Sequence, residues 1–303
     1  MKQLSPNKST YRAEIDGLRA FAVLSVVFFH AFPSGFKGGF IGVDVFFVIS
    51  GFLITSHIFQ SLEKGQFSFI DFFSRRIRRI FPALILVMIC SLAFGWFVLL
   101  SDEFNQLGKH VAGGAAFVSN FIFAGEVGYF STESEYKPML HLWSLAVEEQ
   151  FYIFWPLILW VTWKMRQNLL LICLFFMLSS FLINIFWVSR FPTEIFFWPF
   201  GRFWELLVGS VLAWLMLYKA NMFVSNGNKK NKSLIYILNN FSRNGITTFI
   251  GIFVLLASIF LITTDDPFPS YNAIFPVFGA VLVIVGGSTS TFSRSVLSNK
   301  IAL

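Results

Sequence analysis

The sequence is dominated by long apolar runs separated by short polar stretches, and a helix needs about 20 mostly apolar residues to cross a bilayer core. Eight runs reach that length, at roughly 17–36, 40–60, 80–100, 141–163, 168–188, 200–218, 247–263 and 271–288. Hydrophobic residues make up 56% of the chain and charged residues 13%, against about 25% charged in a soluble domain. This composition excludes a soluble enzyme, a disordered chain and a disulfide scaffold. We predict an all-α, polytopic transmembrane helix bundle.

A ninth run at 110–125 is shorter and weaker, because it contains Gly113, Gly114, Ser119 and Asn120. If this run does not cross and the N-terminus is cytoplasmic, most of the 23 Lys and Arg residues face the cytoplasm, as the positive-inside rule requires. If it crossed, the lysine-rich segment after residue 218 would face outside. We therefore predict eight spans plus one short re-entrant or interfacial helix, with both termini cytoplasmic.

The remaining organisation follows from the polar stretches and the cysteines. No second soluble domain is evident, so residues 1–303 are predicted to form one membrane domain. Segment 219–246, with SNGNKKNK at its centre, is predicted to be a mobile cytoplasmic loop. The net charge of +7 does not indicate nucleic-acid binding, because the basic residues lie between apolar runs. Cys90 and Cys173 are predicted to be small core hydrophobes without a disulfide.

Ionisable side chains inside a span are costly and are therefore candidates for function, and the first span offers Asp16, Arg19 and His30. Eleven residues of α-helix bring His30 back to within about 20° of the face that carries Arg19, roughly 16 Å along the axis. If Arg19 marks the inner interface, His30 lies near mid-membrane. His30 is either catalytic or simply hydrogen-bonded within the bundle. Asp16 and Arg19 are either functional or an interfacial i,i+3 pair.

The second span, GFIGVDVFFVISGFLIT, carries Asp44, Ser50 and Gly51. It runs inward, which places Ser50 about 15 Å below the outer end and close to the level of His30. The small residues Ser50 and Gly51 either let a neighbouring helix approach closely or leave a cavity beside the histidine. Asp44 falls in the outer half of the span.

Four arginines stand within five positions at the inner start of the third span, just before Pro82: Arg75, Arg76, Arg78 and Arg79. Guanidinium groups suit bidentate phosphate binding better than lysine does. The cluster is therefore either a phosphate-binding site or an anchor in contact with anionic lipid.

The fourth span opens with HLWSLAVEEQFYIFWPL, in which His141, Ser144, Glu148 and Tyr152 lie close to one helical face. Two adjacent carboxylates in an apolar helix are unusual. Glu148 is predicted to act as an acid, a base or an orienting group, or else to be a buried carboxylate hydrogen-bonded to a neighbouring span. Glu149 is predicted to be the structural member of the pair.

Two further observations limit the chemistry. Arg202 and Glu205 are three residues apart and are predicted to form a local helix pair. The sequence has no zinc-ligand spacing, P-loop or dinucleotide fingerprint, so no metal and no permanently bound cofactor is predicted.

These motifs together resemble the acyltransferase-3 family of bacterial integral-membrane acyltransferases, which includes O-antigen and peptidoglycan O-acetylases. The matching segments occur in family order and are IDGLRAFAVLSVVFFH (15–30), GFIGVDVFFVISGFLIT (39–55), FFSRRIRRIFPALIL (72–86), HLWSLAVEEQFYIFWPL (141–157) and FGRFWELLVGSVLAW (200–214). The resemblance implies that the relation between Arg19 and His30 is an active-site signature. It also implies that the arginine cluster handles an acyl-CoA donor, and that the FFVISG segment and Glu148 belong to family motifs.

One departure from the family concerns the C-terminal part. Members usually have about ten spans and a late motif similar to SLYLWHWP, whereas this chain stops at Leu303 after SVLSNKIAL. We therefore expect the domain to be incomplete at its C-terminus relative to the family.

The resemblance implies a multi-pass protein of the bacterial inner membrane that moves an acyl group, commonly acetyl, from cytoplasmic acyl-CoA to a hydroxyl of a surface polysaccharide such as O-antigen or lipopolysaccharide. Its partners would be acyl-CoA, a glycan acceptor and the lipid bilayer. The expected catalytic residues are His30, Glu148 and Asp44. The expected donor-binding residues are Arg75, Arg76, Arg78, Arg79 and Arg19, supported by Asp16, Ser50, Gly51 and Tyr152. The alternatives are a transporter or flippase, or an inactive truncated relative.

Overall fold

A computed structural model describes residues 12–126, 137–218 and 245–287. Within these ranges the chain is helical, with turns and short connections and no strand. The α-helices are α1 (Ala13–Ala31), α2 (Gly42–Glu63), α3 (Phe69–Val98), α4 (Ser101–Ala115), α5 (Ser119–Ala124), α6 (Leu142–Lys164), α7 (Leu169–Trp187), α8 (Pro192–Phe197), α9 (Pro199–Tyr218), α10 (Ile246–Leu261) and α11 (Ile274–Gly287). Single 3₁₀ turns at Gly39–Ile41 and Tyr271–Ala273 precede α2 and α11. The predicted all-α class is confirmed for the described residues.

Four segments in this part of the chain are long and apolar enough to cross a membrane: Gly39–Glu63, Phe69–Val98, Leu169–Trp187 and Pro192–Tyr218. Ile246–Leu261 and Tyr271–Gly287 are apolar but shorter. Helix α1 carries three charged residues, Glu14, Asp16 and Arg19, and α6 carries Glu148, Glu149 and Lys164. The apolar helices agree with a membrane protein, while the count of eight spans and the side of each terminus stay predictions.

The chain divides into two compact units. Unit 1 contains α1, the start of α2 up to Ile49, α10 and α11. Close packing on small residues holds its helices together. A Cβ on Gly39 would lie 2.3 Å from the Ser25 carbonyl oxygen, and one on Gly42 would lie 2.3 Å from that of Ala22. These contacts fix the beginning of α2 against the buried face of α1.

Unit 2 contains α2 from Ser50 onward and helices α3 to α9. A hydrogen-bond chain joins three of these helices. The Trp155 indole N–H donates to Thr55 Oγ1 at 2.9 Å, Thr55 and Ser210 hydroxyls are 2.7 Å apart, and Ser210 donates to the Leu206 carbonyl at 3.2 Å. Because Ser210 uses its hydrogen on that carbonyl, Thr55 must donate to Ser210. Buried polar groups satisfied in this way specify how α6, α2 and α9 pack.

Helix α3 begins eleven residues before the predicted start of its span, at 80. Its N-cap is Ser68, whose hydroxyl accepts from the Asp71 N–H at 3.3 Å, and the helix continues through Pro82. The predicted span began after the arginines because they are charged, although arginine is a good helix former. The arginine cluster therefore lies on the first turns of a continuous 30-residue helix.

The predicted short segment at 110–125 is two helices, α4 and α5, which are separated at Phe117. This residue adopts a positive φ of 54°, a conformation that interrupts a helix. The Asn120 and Gln150 side chains then hold α5 against α6, with a Gln150 Nε2 to Asn120 Oδ1 distance of 2.8 Å.

Two remaining predictions have mixed outcomes. Cys173 is buried and Cys90 is exposed, and both are free, so the absence of a disulfide is confirmed while the core position of Cys90 is wrong. Cys90 falls on an exposed side of α3, among exposed apolar residues such as Leu86 and Ile89. The predicted loop at 219–246 lies outside the described residues except for Gly245, which caps α10 at a φ of 75°, and Ile246.

Candidate active site

Helix α1 separates a packed face from a more exposed face, which carries apolar residues as well as Arg19 and His30. Ile15, Leu18 and Ala22 are buried on the packed face. The helix is unbroken from residue 13 to 31, so Arg19 and His30 share the other face at the predicted spacing of roughly 16 Å. Arg19 Nη1 is 3.5 Å from Asp16 Oδ1, which is the expected i,i+3 pair.

The His30 ring is exposed, and one hydrogen bond defines its tautomer. Nδ1 lies 2.9 Å from the carbonyl oxygen of Val26. A carbonyl oxygen only accepts hydrogen bonds, so Nδ1 must carry the hydrogen. In the neutral ring the lone pair is therefore on Nε2, which is the atom available to accept a proton or to attack a carbonyl carbon.

Asp44 lies in the first turn of α2 and is fully buried. The N-terminus of a helix carries a partial positive charge that favours a carboxylate there. The start of α2 therefore offers a favourable environment for this candidate residue.

In unit 2, the structure brings Ser50, Glu148 and Tyr152 together. The Ser50 hydroxyl donates to Glu148 Oε1 at 2.9 Å, and the Tyr152 hydroxyl donates to Glu148 Oε2 at 3.3 Å. Glu148 and Tyr152 are neighbours because they are four residues apart on α6, whereas Ser50 comes from α2. Both carboxylate oxygens are thus held by hydroxyl donors from two helices.

Arg76 joins this cluster from α3. Its Nη2 and Nε atoms are 3.0 and 3.3 Å from Glu149 Oε1, and its guanidinium carbon is 3.6 Å from the centroid of the Tyr152 ring. We refer to Ser50, Arg76, Glu148, Glu149 and Tyr152 as the glutamate cluster. The structural assignment of Glu149 agrees with its ion pair.

The other three arginines on the first turns of α3, Arg75, Arg78 and Arg79, are exposed. Arg75 Nη2 lies 3.0 Å from His57 Nε2. Since a guanidinium only donates, His57 accepts through Nε2. Arg78 and Arg79 complete an exposed basic surface on the first turns of α3.

Gly51 has a packing role. A Cβ there would lie 1.8 Å from the carbonyl oxygen of Leu206 in α9, so only glycine allows the two helices to approach this closely. Of the two interpretations of the small residues, close packing holds for Gly51. Its neighbour Ser50 instead bonds to Glu148.

One polar cluster was missed by sequence reasoning. His110 Nε2 lies 2.9 Å from Glu126 Oε1, and Lys137 Nζ pairs with Glu126 Oε2. Partial burial by itself raises the pKa of Glu126, but the hydrogen bonds from Lys137 and His110, with their charges, outweigh it and hold the pKa below its usual value. No spacing pattern identifies this cluster, because its residues come from α4 and from both sides of a polar segment.

Two further predictions concern an ion pair and metals. Arg202 Nη1 lies 3.1 Å from Glu205 Oε1, with both side chains buried, so the predicted local pair is confirmed. Among the described residues, no group of three or more His, Cys, Asp or Glu side chains is placed to hold a metal ion.

Comparison with known proteins gives one family for nearly the whole chain. A family profile described as an acyltransferase domain, of the acyltransferase-3 type, matches residues 12–302. No solved structure matches.

Three relatives illustrate the range of similarity. An uncharacterized protein of Haemophilus influenzae is 34% identical over 80% of this chain and 96% of its own length. The putative peptidoglycan O-acetyltransferase YrhL of Bacillus subtilis is 33% identical over 95% of this chain and 45% of its own length. The peptidoglycan O-acetyltransferase OatA of Listeria monocytogenes is 37% identical over 71% of this chain and 36% of its own length.

The chain thus spans less than half of the length of these two O-acetyltransferases, and nearly all of the Haemophilus protein. The family match, in contrast, extends over residues 12–302 and includes α1 with His30, the arginine turns of α3 and the glutamate cluster. This chain belongs to the acyltransferase-3 family.

Proposed function

We propose that the protein is an O-acetyltransferase of the bacterial inner membrane, which moves an acetyl group from cytoplasmic acyl-CoA to a hydroxyl of a cell-envelope polysaccharide. Family membership and the O-acetyltransferase names of its relatives support the reaction class. The proposed topology has eight spans with both termini cytoplasmic, and α4 and α5 do not cross. The concentration of basic residues on one side supports this topology.

His30 is the proposed reactive residue, and its tautomer is the observation that carries the proposal. With Nδ1 donating to the Val26 carbonyl, Nε2 accepts the proton of the acceptor hydroxyl. The hydroxyl oxygen bonds to the thioester carbonyl carbon, the carbon–sulfur bond breaks, and the CoA thiolate takes the proton back from Nε2. The same lone pair also suits a stepwise route, in which Nε2 first carries the acetyl group and then releases it to the hydroxyl.

The donor phosphates are the proposed ligands of the exposed arginines of α3. Arg75, Arg78 and Arg79 present guanidinium groups on successive turns of one helix, and such groups form bidentate bonds with phosphate oxygens. Arg19, which shares its helix face with His30, is a further proposed donor contact. A thioester is already activated, so positioning together with one base supplies the chemistry.

Glu148 and Asp44 are the proposed orienting carboxylates for the acceptor. Glu148 suits this role because Ser50 and Tyr152 hold both of its oxygens. Asp16 supports Arg19 through their ion pair. Gly51 keeps α2 close enough to α9 for Ser50 to keep its place.

The proposed acceptor is a polysaccharide hydroxyl of the cell envelope. The names of two relatives specify peptidoglycan, which makes it the first acceptor to test. O-antigen or lipopolysaccharide is the second acceptor, because it presents the same chemical group.

The test is mass spectrometry of envelope glycans from cells that express wild type, His30→Asn or Val27→Ala. Asparagine keeps an N–H donor near the Nδ1 position but has no basic nitrogen. Val27 is exposed on the same helix, so its variant controls for general damage to α1. We expect acetylated glycan with wild type and Val27→Ala and none with His30→Asn, at equal amounts of protein in the membrane.

The same experiment separates the alternatives. Acetylation that persists in His30→Asn would overturn the proposed role of His30. A transporter or flippase would change the amount of exported glycan without changing its acetyl content. An inactive relative would give no acetylation even with wild type.

A further inference from the structure

Arg76 differs from the other arginines of α3 in its surroundings. Its side chain is 15% exposed, whereas Arg75, Arg78 and Arg79 are exposed. Two of its guanidinium nitrogens are committed to one oxygen of Glu149. One face of the guanidinium plane also covers the Tyr152 ring at 3.6 Å. These contacts occupy the Nε–Nη2 edge and one face of the guanidinium, which leaves only Nη1 to bind a phosphate.

The stacking contact leads on to Glu148. The Tyr152 ring that Arg76 covers is buried, with 2% exposure, and its hydroxyl donates to Glu148 Oε2. The guanidinium over the ring restricts its swing about χ1, which is the motion that would carry the hydroxyl oxygen away from Glu148. Arg76 also holds Glu149. It therefore contacts two neighbours of Glu148, Tyr152 and Glu149, and makes no hydrogen bond to Glu148 itself.

The charges of the glutamate cluster link Arg76 to Glu148 in a second way. Glu148 and Glu149 are adjacent carboxylates in an apolar helix, and like charges at this distance repel. Arg76 offsets the charge of Glu149 through two charge-assisted hydrogen bonds, which are stronger than neutral ones. Lysine would supply the charge but neither the planar stack nor the paired donors.

We propose that Arg76 is a positioning residue, which fixes the carboxylate of Glu148 through Tyr152 and Glu149 and does not bind the donor. This proposal rests on the proposed acetyl transfer, and within that function it divides the arginine cluster. Arg75, Arg78 and Arg79 face the donor phosphates, while Arg76 faces the interior and serves the acceptor side.

The first test compares Arg76→Lys with Arg78→Gln in purified enzyme, with acetyl-CoA as the varied substrate. A small displacement of a catalytic group lowers turnover by about 10- to 100-fold, so we expect Arg76→Lys to lower kcat by that factor. Its KM for acetyl-CoA should stay within about twofold of the wild-type value, because the residues that bind acetyl-CoA are unchanged. Arg78→Gln should instead raise KM and leave kcat nearly unchanged. A rise in KM with unchanged kcat in Arg76→Lys would make Arg76 a donor ligand and overturn the proposal.

The second test does not require turnover. Infrared spectra of protein carrying ¹³C-labelled glutamate identify the Glu148 carboxylate band as the one lost in Glu148→Gln. We expect Arg76→Lys to shift this band and Arg78→Gln to leave it in place. An unshifted band in Arg76→Lys would contradict the positioning role. If wild type transferred no acetyl group, the proposed function would fail, while this band would still decide whether Arg76 positions Glu148.

Discussion

Replacement of Gly51 by alanine tests how the helices of unit 2 hold the glutamate cluster. The added Cβ would lie 1.8 Å from the Leu206 carbonyl oxygen, and real Cβ contacts are essentially never below 3.0 Å, so these atoms must separate by at least the difference of 1.2 Å. Overpacking costs about 1–3 kcal/mol, and we take the upper value because the obstacle is backbone. The higher helix propensity of alanine offsets about 1 kcal/mol. The expected loss of stability is then about 2 kcal/mol.

The assay is the thermal unfolding midpoint of purified protein in detergent. A loss of this size lowers the midpoint by about 4–8 °C, at about 2–4 °C per kcal/mol for a chain of similar size. Gly108→Ala is the matched control, because Gly108 lies inside α4 and a Cβ there meets no atom within 4 Å. We expect this control to melt at the wild-type temperature or above. An unchanged midpoint for Gly51→Ala, or an equal loss in Gly108→Ala, would refute the packing argument.

Two further predictions concern ion pairs. Glu126→Gln should flatten the pH dependence of the unfolding midpoint. Lys137 and His110 hold the pKa of Glu126 low in the folded protein. The ionised carboxylate therefore stabilises the fold above the unfolded-state pKa of about 4.3, and this stabilisation is lost as the pH falls below that value. Equal acid-induced losses in wild type and Glu126→Gln would contradict this. Arg202→Met should lower the free energy of unfolding by about 3–5 kcal/mol, because it leaves the buried Glu205 carboxylate without its cation. The double variant Arg202→Met with Glu205→Gln should recover part of this loss in a denaturation series. No recovery would argue against the ion pair.

The helices were predictable from the sequence because apolar length is a local property. The predicted starts of α6, α7 and α9 each lie within one residue of the observed ones. The start of α3 was missed, since residues 69–79 carry five charged side chains and the helix start is held by the Ser68 cap. The break at Phe117 was missed because a single residue of positive φ leaves no periodic signal.

The candidate residues were predictable, while their partners were not. Within α1, the spacing of Arg19 and His30 follows from helix geometry alone. The Ser50–Glu148 bond joins residues 98 positions apart, and the Arg76–Glu149 pair joins residues 73 positions apart. Such contacts depend on how helices pack, which no local pattern specifies. For this reason the four arginines looked alike in the sequence and differ in the structure.

Transfer of labelled acetyl in proteoliposomes tests whether the His30 ring carries out the reaction. Purified protein, radiolabelled acetyl-CoA and a peptidoglycan or O-antigen acceptor are combined, and label in the acceptor is counted for wild type, His30→Asn and Val27→Ala. We expect label with wild type and Val27→Ala and background counts with His30→Asn. Label in the acceptor with His30→Asn at the wild-type rate would contradict this expectation.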